Sequence, residues 1–280
     1  MDRIVVDGVG LDVEDLGTGE PVVLIHAGLC ADWFMGLRDE PALAGSHRLI
    51  RYHRAGYAGS DRIDGALSIR QQAGQCRSLL RALGVAEAHI VGHSSSAAIA
   101  LQLALDHPGT VHSLALLETA LLTVPSGPFA GDAMRAFLAG DRTTAVDTWL
   151  SGVCGPGYRT VMDRALPAAV DQAVRDADTF FGQELPAVRA WPFDQSQAGR
   201  ITQPVLLVLG ERSADVSPAF GRRHDLLLSW LPAAEPFVLP DATHLLHVQN
   251  PAGMADRLAQ FFADHPINVF NLAEAAPPDA

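Results

Sequence analysis

The chain has 280 residues, of which 48% are hydrophobic, and no shift in composition divides it, so we expect one large buried core. The net charge of −12 disfavours binding to nucleic acid or to an anionic membrane, because both require a basic surface. Three cysteines without a C-x-x-C spacing indicate neither a disulfide framework nor a zinc site. Because the first residues lack a signal-peptide pattern and no apolar run is long enough to span a membrane, we expect a soluble, cytoplasmic protein.

Strand and helix patterns alternate along the chain. Residues 3–6 and 11–17 flank the turn Asp7-Gly8 and predict an antiparallel hairpin at the edge of a sheet. Short apolar runs rich in β-branched residues then predict buried strands at residues 22–26, 47–53, 89–93, 111–118, 204–210 and 237–240. Apolar residues at helical spacing predict helices at residues 69–84, 98–108 and 244–265. The alternation predicts an α/β fold with a mostly parallel sheet covered by helices on both faces.

One long stretch between two predicted strands departs from this alternation. About 85 residues separate Glu118 from Pro204, far more than one connecting helix needs, and they contain several segments with amphipathic helical spacing. We therefore expect a core, a helical cap inserted into it and a tail, at residues 1–120 with 200–264, residues 121–199 and residues 265–280. The tail is rich in Ala and Pro, so we expect it to be unstructured or draped over the surface.

A predicted strand runs directly into Gly92-His93-Ser94-Ser95-Ser96, and this turn runs directly into a helix. A nucleophile elbow requires this strand–turn–helix context, and its tight turn requires small residues beside the nucleophile. Gly92 and Ser96 are small, although Ser96 stands where a second glycine is usual. We predict that Ser94 is a nucleophile. The alternative is a serine-rich turn that only caps the helix.

A serine hydroxyl is a poor nucleophile until a neighbouring imidazole removes its proton, so the predicted site needs a histidine. The chain has 11 histidines, so the presence of a histidine is weak evidence by itself and its position must decide. His244 is favoured because it follows the last predicted strand, at the same sheet edge as the turn that carries Ser94. His247 follows on a predicted helix and is interpreted as structural.

A loop near the start of the chain is expected to supply hydrogen-bond donors. The strand at residues 22–26 ends in a His-x-Gly turn formed by His26, Ala27 and Gly28. Acyl transfer requires two backbone N–H groups directed at the developing oxyanion, one from the residue after the nucleophile and one from such a loop. We therefore predict Ser95 and Gly28 as the oxyanion-hole residues and interpret His26 as a residue that organises the loop.

These motifs, together with the turn at residues 52–60 after the fourth predicted strand, resemble the α/β-hydrolase superfamily over roughly residues 3–264. The resemblance implies an eight-stranded sheet, a Ser-His-acid triad under the cap, and no metal or organic cofactor. Epoxide- and haloalkane-cleaving members of the superfamily need Asp at the nucleophile position. Ser94 therefore disfavours these two reactions.

The triad acid departs from the usual superfamily pattern. The acid is normally an Asp three residues after the glycine that ends the strand at residues 204–210, but this position is Ser213, and Asp215 comes two places later. Glu118 is the other candidate, because it ends the strand after the elbow helix and so projects at the same sheet edge as Ser94. We predict Glu118 as the acid and keep Asp215 as the alternative.

The position of Glu118 is similar to that of the triad acid in the fungal zearalenone lactone hydrolases, which lies at the same distance after the nucleophile. Those enzymes also have a Ser-Ser pair at the nucleophile and a Leu-Leu pair shortly after the acid, as Leu121 and Leu122 are here. This resemblance implies hydrolysis of a macrolactone.

The sequence thus predicts a serine hydrolase that cleaves a small apolar carboxylic ester or lactone through an acyl-enzyme on Ser94. The predicted substrate-contacting residues are apolar and come from loops and cap: Leu29, Leu122, Phe181 and Trp191. A homodimer is compatible with the sequence. Two alternatives stay open. One is a carbon–carbon bond hydrolase of the meta-cleavage type, with Arg189 as the nearest cap arginine for a substrate carboxylate; the other is a non-catalytic binding protein on the same fold.

Overall fold

The computed structural model describes residues 1–125 and 127–267, and within them eight strands form one sheet. The strands are β1 (Asp2–Val6), β2 (Val9–Leu16), β3 (Glu20–Ile25), β4 (His47–Tyr52), β5 (Ala88–His93), β6 (Val111–Leu117), β7 (Val205–Gly210) and β8 (Ala234–Leu239). They lie in the order β1-β2-β4-β3-β5-β6-β7-β8. β2 pairs antiparallel with β1 and β4, and all other neighbours are parallel. The predicted α/β fold with a mostly parallel sheet is confirmed.

Helices follow most of the strands in the chain. They are α1 (Met35–Arg38), α2 (Pro41–Ala44), α3 (Ile69–Ala82), α4 (Ser95–Asp106), α5 (Phe129–Leu138), α6 (Arg142–Cys154), α7 (Tyr158–Ala165), α8 (Ala169–Arg175), α9 (Ala177–Thr179), α10 (Leu185–Ala190), α11 (Gln195–Ala198), α12 (Ala219–Trp230) and α13 (Pro251–Asp264). A π-helix, Phe180–Glu184, lies between α9 and α10. Among the described residues, none of the helices combines the length and apolar character needed to cross a bilayer.

The sheet buries both of its faces. Side chains alternate along each strand, so Val22 and Leu24 of β3 belong to one apolar cluster while Val23 and Ile25 belong to the other. Helices α1, α2 and α13 contribute to the first cluster, and α3, α4 and α12 contribute to the second. Burial on both faces is why the central strands read as nearly continuous apolar runs in the sequence.

The predicted last helix at residues 244–265 is wrong in its first seven residues. A 3₁₀ turn, Leu246–Val248, follows His244, and α13 begins only at Pro251. The side chain of Asn250 accepts a hydrogen bond from the N–H of Gly253 and so caps α13. A proline at the first helical position favours a helix start, because its missing N–H would have no partner there.

Helices α5 to α11 and the π-helix lie between β6 and β7 in the chain, and we call them the inserted helices. An aromatic cluster forms part of their interior and contains Phe137, Trp149, Phe180 and Phe181. Their division from the core as a separate cap stays a prediction. Most of the expected tail, residues 268–280, lies outside the described residues.

A buried ion pair joins the turn after β4 to the π-helix. The Nη2 atom of Arg54 lies 2.9 Å from Oε2 of Glu184, and the two side chains are 2% and 1% exposed. The hydroxyl of Tyr57 also donates a hydrogen bond to Glu184. Since a buried charge must be paired, these contacts fix the π-helix over the carboxyl ends of the strands.

Candidate active site

The predicted nucleophile lies in a strained turn between β5 and α4. Ser94 has φ 55° and ψ −116°, a conformation that is costly for a residue with a side chain and that concentrates at functional sites. A Cβ atom added at Gly92 would lie 2.7 Å from the carbonyl oxygen of Ser96 and 2.8 Å from Cα of Ala97. The turn therefore requires glycine at position 92, as a nucleophile elbow does.

Ser96 stabilises this turn in a way that its small size did not predict. Its hydroxyl donates a hydrogen bond to the carbonyl oxygen of Ile25 in β3 and accepts one from the N–H of His93 at 2.8 Å. The usual second glycine would make neither contact. Ser96 thus ties the elbow to the neighbouring strand.

The structure brings His244 and Glu118 together. Nδ1 of His244 lies 2.6 Å from Oε2 of Glu118, and the two side chains are 5% and 1% exposed. The ring of Phe220 stacks on the imidazole with 4.6 Å between ring centroids. A proton on Nδ1 is donated to the carboxylate, which leaves Nε2 as the acceptor. This is the tautomer that a general base needs.

The second carboxylate oxygen of Glu118 is also fixed. Oε1 accepts a hydrogen bond from the N–H of Gly210 at 2.8 Å and another from the hydroxyl of Ser213. Glu118 itself has φ 46°, directly after β6, so its side chain leaves the sheet at a sharp turn. Ser213 occupies the usual acid position of the superfamily and here acts as a hydrogen-bond donor to the carboxylate. The sequence alone indicated no role for Ser213.

Asp215, the alternative acid, lies elsewhere. Its side chain is 64% exposed and forms an ion pair of 3.3 Å with Arg212. The structure therefore places Glu118, and not Asp215, against His244.

The two predicted oxyanion-hole residues are in contact. The N–H of Gly28 donates a hydrogen bond of 3.0 Å to Oγ of Ser95, and the carbonyl oxygen of Gly28 accepts one from Nε1 of Trp33 at 3.1 Å. A Cβ atom at Gly28 would lie 2.5 Å from the ring of Phe180. Gly28 is thus held between the elbow and the π-helix, with no room for a side chain.

His26 organises the loop that carries Gly28, as the sequence indicated. Its Nδ1–H donates to the carbonyl oxygen of Ala27 at 2.7 Å, and its Nε2 accepts from the N–H of Arg54 at 2.9 Å. Complete burial, reinforced by the charge of Arg54, holds the pKa of His26 well below its usual value. The ring is therefore neutral and joins the loops after β3 and β4.

Two further buried histidines lie beside His244. Nε2 of His93 donates to the carbonyl oxygen of His244 at 3.1 Å, and Nε2 of His247 donates to the carbonyl oxygen of Trp33 at 3.0 Å. Burial lowers the pKa of His247 to about 3 and holds the pKa of His93 well below its usual value. Both rings are therefore neutral structural groups. The sequence predicts a structural role for His247 and gives no indication of one for His93.

Ser94, Ser95, Gly28 and His244 line one cavity of about 50 Å³. Leu29 and Leu122, two predicted substrate-contacting residues, also line it. The inserted helices contribute six apolar side chains to its wall: Trp149, Leu150, Val153, Phe180, Leu185 and Val188. The wall is thus mainly apolar around the serine and the imidazole.

Phe181 and Trp191 do not line this cavity, so the structure corrects their predicted role. Phe181 stacks on Phe137 at 5.2 Å between ring centroids, inside the inserted helices. Nε1 of Trp191 donates to Oε1 of Gln102 at 2.8 Å, and its ring stacks on Phe193. Phe181 is buried and Trp191 is half-buried, each against neighbouring elements instead of the cavity, because amphipathic spacing indicates which face is covered but not what covers it.

The arginine beside the cavity is Arg223 of α12, and not Arg189, which is exposed. Nε and Nη2 of Arg223 donate to the carbonyl oxygen of Val124 at 3.1 and 2.6 Å. Burial lowers its pKa to about 10, so the guanidinium is still charged at neutral pH. Within the described ranges, no three His, Cys, Asp or Glu side chains are grouped so that they could hold a metal ion.

Residues 22–257 match the model of the alpha/beta hydrolase family, and the chain therefore belongs to this family. A fluoroacetate dehalogenase from Burkholderia sp is 36% identical over 107 residues, which are 36% of this chain and 35% of the dehalogenase. This chain thus spans about a third of the length of that relative.

Solved structures show the same fold over more than nine tenths of the chain. The enol-lactonase from Burkholderia xenovorans LB400 is 20% identical, with a TM-score of 0.80 over 94% of this chain and 100% of its own. Est816, described as an N-acyl homoserine lactone degrading enzyme, is 24% identical, with a TM-score of 0.73 over 93% of this chain and 100% of its own.

Proposed function

We propose that the protein is a serine hydrolase that cleaves a carboxylic ester or a lactone through an acyl-enzyme on Ser94. The observation that carries the proposal is the 2.6 Å contact between Nδ1 of His244 and Oε2 of Glu118, at the wall of the cavity into which the elbow serine opens. A nucleophile, a base and a group that orients the base are the three parts that acyl transfer needs. A binding protein without catalysis needs none of them.

The reaction follows from these positions. Oγ of Ser94 attacks the substrate carbonyl while Nε2 of His244 takes its proton, and Glu118 stabilises the imidazolium that forms. The oxyanion of the tetrahedral intermediate lies at the elbow, beside Ser95 and Gly28. Collapse of the intermediate expels the alcohol, which takes the proton from the imidazolium. Water then attacks the acyl-enzyme by the same steps and releases the carboxylic acid.

Cavity size favours a short acyl group. A cavity of about 150 Å³ is known to hold one benzene molecule, and the cavity beside Ser94 is about 50 Å³. Its wall is apolar, so we propose a small uncharged ester or lactone as the substrate. The fold likeness to two lactone-cleaving enzymes supports a lactone. Substrates larger than this cavity, p-nitrophenyl esters included and above all a zearalenone-like macrolactone implied by the position of Glu118, would enter only after the inserted helices move.

Arg223 favours a second candidate, a carbon–carbon bond hydrolase of the meta-cleavage type. Substrates of that class carry carboxylates, and Arg223 places a charged guanidinium at the cavity wall. The same three residues, Ser94, His244 and Glu118, would serve this reaction.

A substrate panel separates these possibilities. It contains p-nitrophenyl esters of increasing acyl length, five- and six-membered lactones, N-acyl homoserine lactones, a macrolactone and a meta-cleavage diketone acid, each assayed with the wild type and with Ser94→Ala. We expect turnover of short esters or small lactones, absent in Ser94→Ala. Turnover of the diketone acid alone would support the second candidate, and wild-type rates in Ser94→Ala would overturn the proposal.

A further inference from the structure

The hydroxyl of Ser95 has a proton to donate and no acceptor for it among the residues that the structure describes. Its Oγ accepts the N–H of Gly28 at 3.0 Å, and this is its one hydrogen bond within the part of the chain that the structure describes. Ser95 is the first residue of α4, is 6% exposed and lines the cavity beside Ser94. A hydroxyl that accepts one hydrogen bond still carries a proton to donate. The cavity is where an acceptor can come from.

We infer that the Ser95 hydroxyl is itself a hydrogen-bond donor of the oxyanion hole. The N–H of Gly28 donates to this hydroxyl and so holds it in place. In this arrangement the substrate oxyanion accepts two hydrogen bonds from one residue, from the backbone N–H and the side-chain O–H of Ser95. The inference rests on the proposed function of Ser94 and replaces the direct contact from Gly28 that the sequence predicted. The Ser95 hydroxyl keeps its proton throughout the reaction.

We call this arrangement, in which Gly28 donates to Ser95 and Ser95 donates to the oxyanion, the relay. The cost of leaving a buried polar group without a partner favours the relay over direct donation from Gly28 to the oxyanion. Direct donation would require the Gly28 N–H to leave Oγ of Ser95, and the hydroxyl would then lose its donor in an apolar cavity. A buried polar group that loses its hydrogen-bond partner destabilises the structure. In the relay every group stays satisfied, and the hydrogen bond from Gly28 polarises the hydroxyl and makes it a better donor.

The presence of a hydroxyl at position 95 gives a second argument. A nucleophile elbow needs only a backbone N–H from the residue after the nucleophile, so alanine would serve equally well at position 95. The hydroxyl of Ser96 has a structural partner in Ile25, whereas the proton of Ser95 has none among the described residues.

The test compares variants that remove the hydroxyl with one that keeps it. Ser95→Ala and Ser95→Gly should lower kcat for p-nitrophenyl acetate by about 10²-fold, the lower end of the loss seen when one oxyanion-hole donor is removed, with little change in KM. Ser95→Thr retains the hydroxyl and should recover most of this loss. The three variants are first compared with the wild type in thermal unfolding, so that a folding defect in one of them is recognised.

A tetrahedral inhibitor provides a readout that a structural role would not change. A trifluoromethyl ketone forms an oxyanion adduct on Ser94, so its inhibition constant for Ser95→Ala should rise by about the same factor by which kcat falls. Inhibition by acetamide, a planar and neutral analogue of the substrate that carries no oxyanion, should change much less. Equal weakening of both inhibitors would overturn the inference.

Failure of the inference differs from failure of the proposed function. If Ser95→Ala and Ser95→Gly keep or increase kcat, the N–H of Gly28 acts directly and only the inference falls. If the wild type hydrolyses no ester or lactone, the proposed function falls and the inference falls with it.

Discussion

Glu118→Gln should place the proton of His244 on the wrong nitrogen. Oε1 of Glu118 accepts hydrogen bonds from the N–H of Gly210 and from Ser213, so the amide oxygen of Gln is held at that position. The amide NH₂ then replaces Oε2 and faces Nδ1 of His244 at the 2.6 Å contact. Because NH₂ is a donor, Nδ1 must accept, and the imidazole proton moves to Nε2. His244 can then no longer take the proton of Ser94.

The expected loss is large because the pair is buried. Solvent barely reaches either side chain, at 5% and 1% exposure, so water does not replace the lost charge. In another triad the comparable Asp-to-Asn change lowered kcat by ~10⁴-fold, which corresponds to about 5.4 kcal/mol. We expect a loss of this order for Glu118→Gln, with the fold retained.

The assay is kcat for the best ester of the panel, measured for Glu118→Gln beside Asp215→Asn as the matched control. Asp215 is exposed and paired only with Arg212, so its variant should stay within about twofold of the wild type, as for an ordinary surface change. Thermal unfolding shows that both variants are folded. Loss of activity in Asp215→Asn with Glu118→Gln unaffected would refute the assignment of the acid.

Two predictions concern stability. Glu184→Gln removes the charge that pairs with Arg54 in the buried site, and loss of one partner of such a pair costs about 3–5 kcal/mol; a loss below about 1 kcal/mol in urea unfolding would contradict the account. The free energy of unfolding should also decrease as the pH is lowered. Burial lowers the pKa of His247 to about 3, so the folded state resists protonation while the unfolded chain takes up a proton near pH 6.5. The free energy of unfolding therefore suffers no loss from His247 well above pH 6.5. It falls as the pH drops toward 3, by about 2 kcal/mol at pH 5 from His247 alone. An equal urea midpoint at pH 7.5 and pH 5 would contradict this.

The sequence predicted the features that depend on local pattern. Apolar runs predicted the strands because both faces of the sheet are buried, and the small residues around Ser94 predicted the turn because its backbone is too tight for larger ones. The placement of Glu118 beside His244 also followed, since Glu118 comes directly after β6 and His244 lies in the loop after β8, so both residues are at one sheet edge.

Contacts between residues far apart in the chain were not predictable. Arg54 and Glu184 are 130 residues apart, and neither has a local pattern that identifies the other. Ser213 was recognised only as a missing acid, because its donation to Glu118 depends on how β6 and β7 are aligned. Phe181 was predicted to contact the substrate and instead packs among the inserted helices. Its place in an amphipathic segment indicates that it is covered but not by which neighbours.

The acyl-enzyme on Ser94 is the central claim, and mass spectrometry of the quenched reaction tests it most directly. The wild type is mixed with excess p-nitrophenyl acetate, stopped with acid within the first turnovers, digested and sequenced by tandem mass spectrometry. The account predicts one acetyl group on Ser94, absent in Ser94→Ala. Turnover with no adduct, or with the acetyl group on another residue, would contradict it.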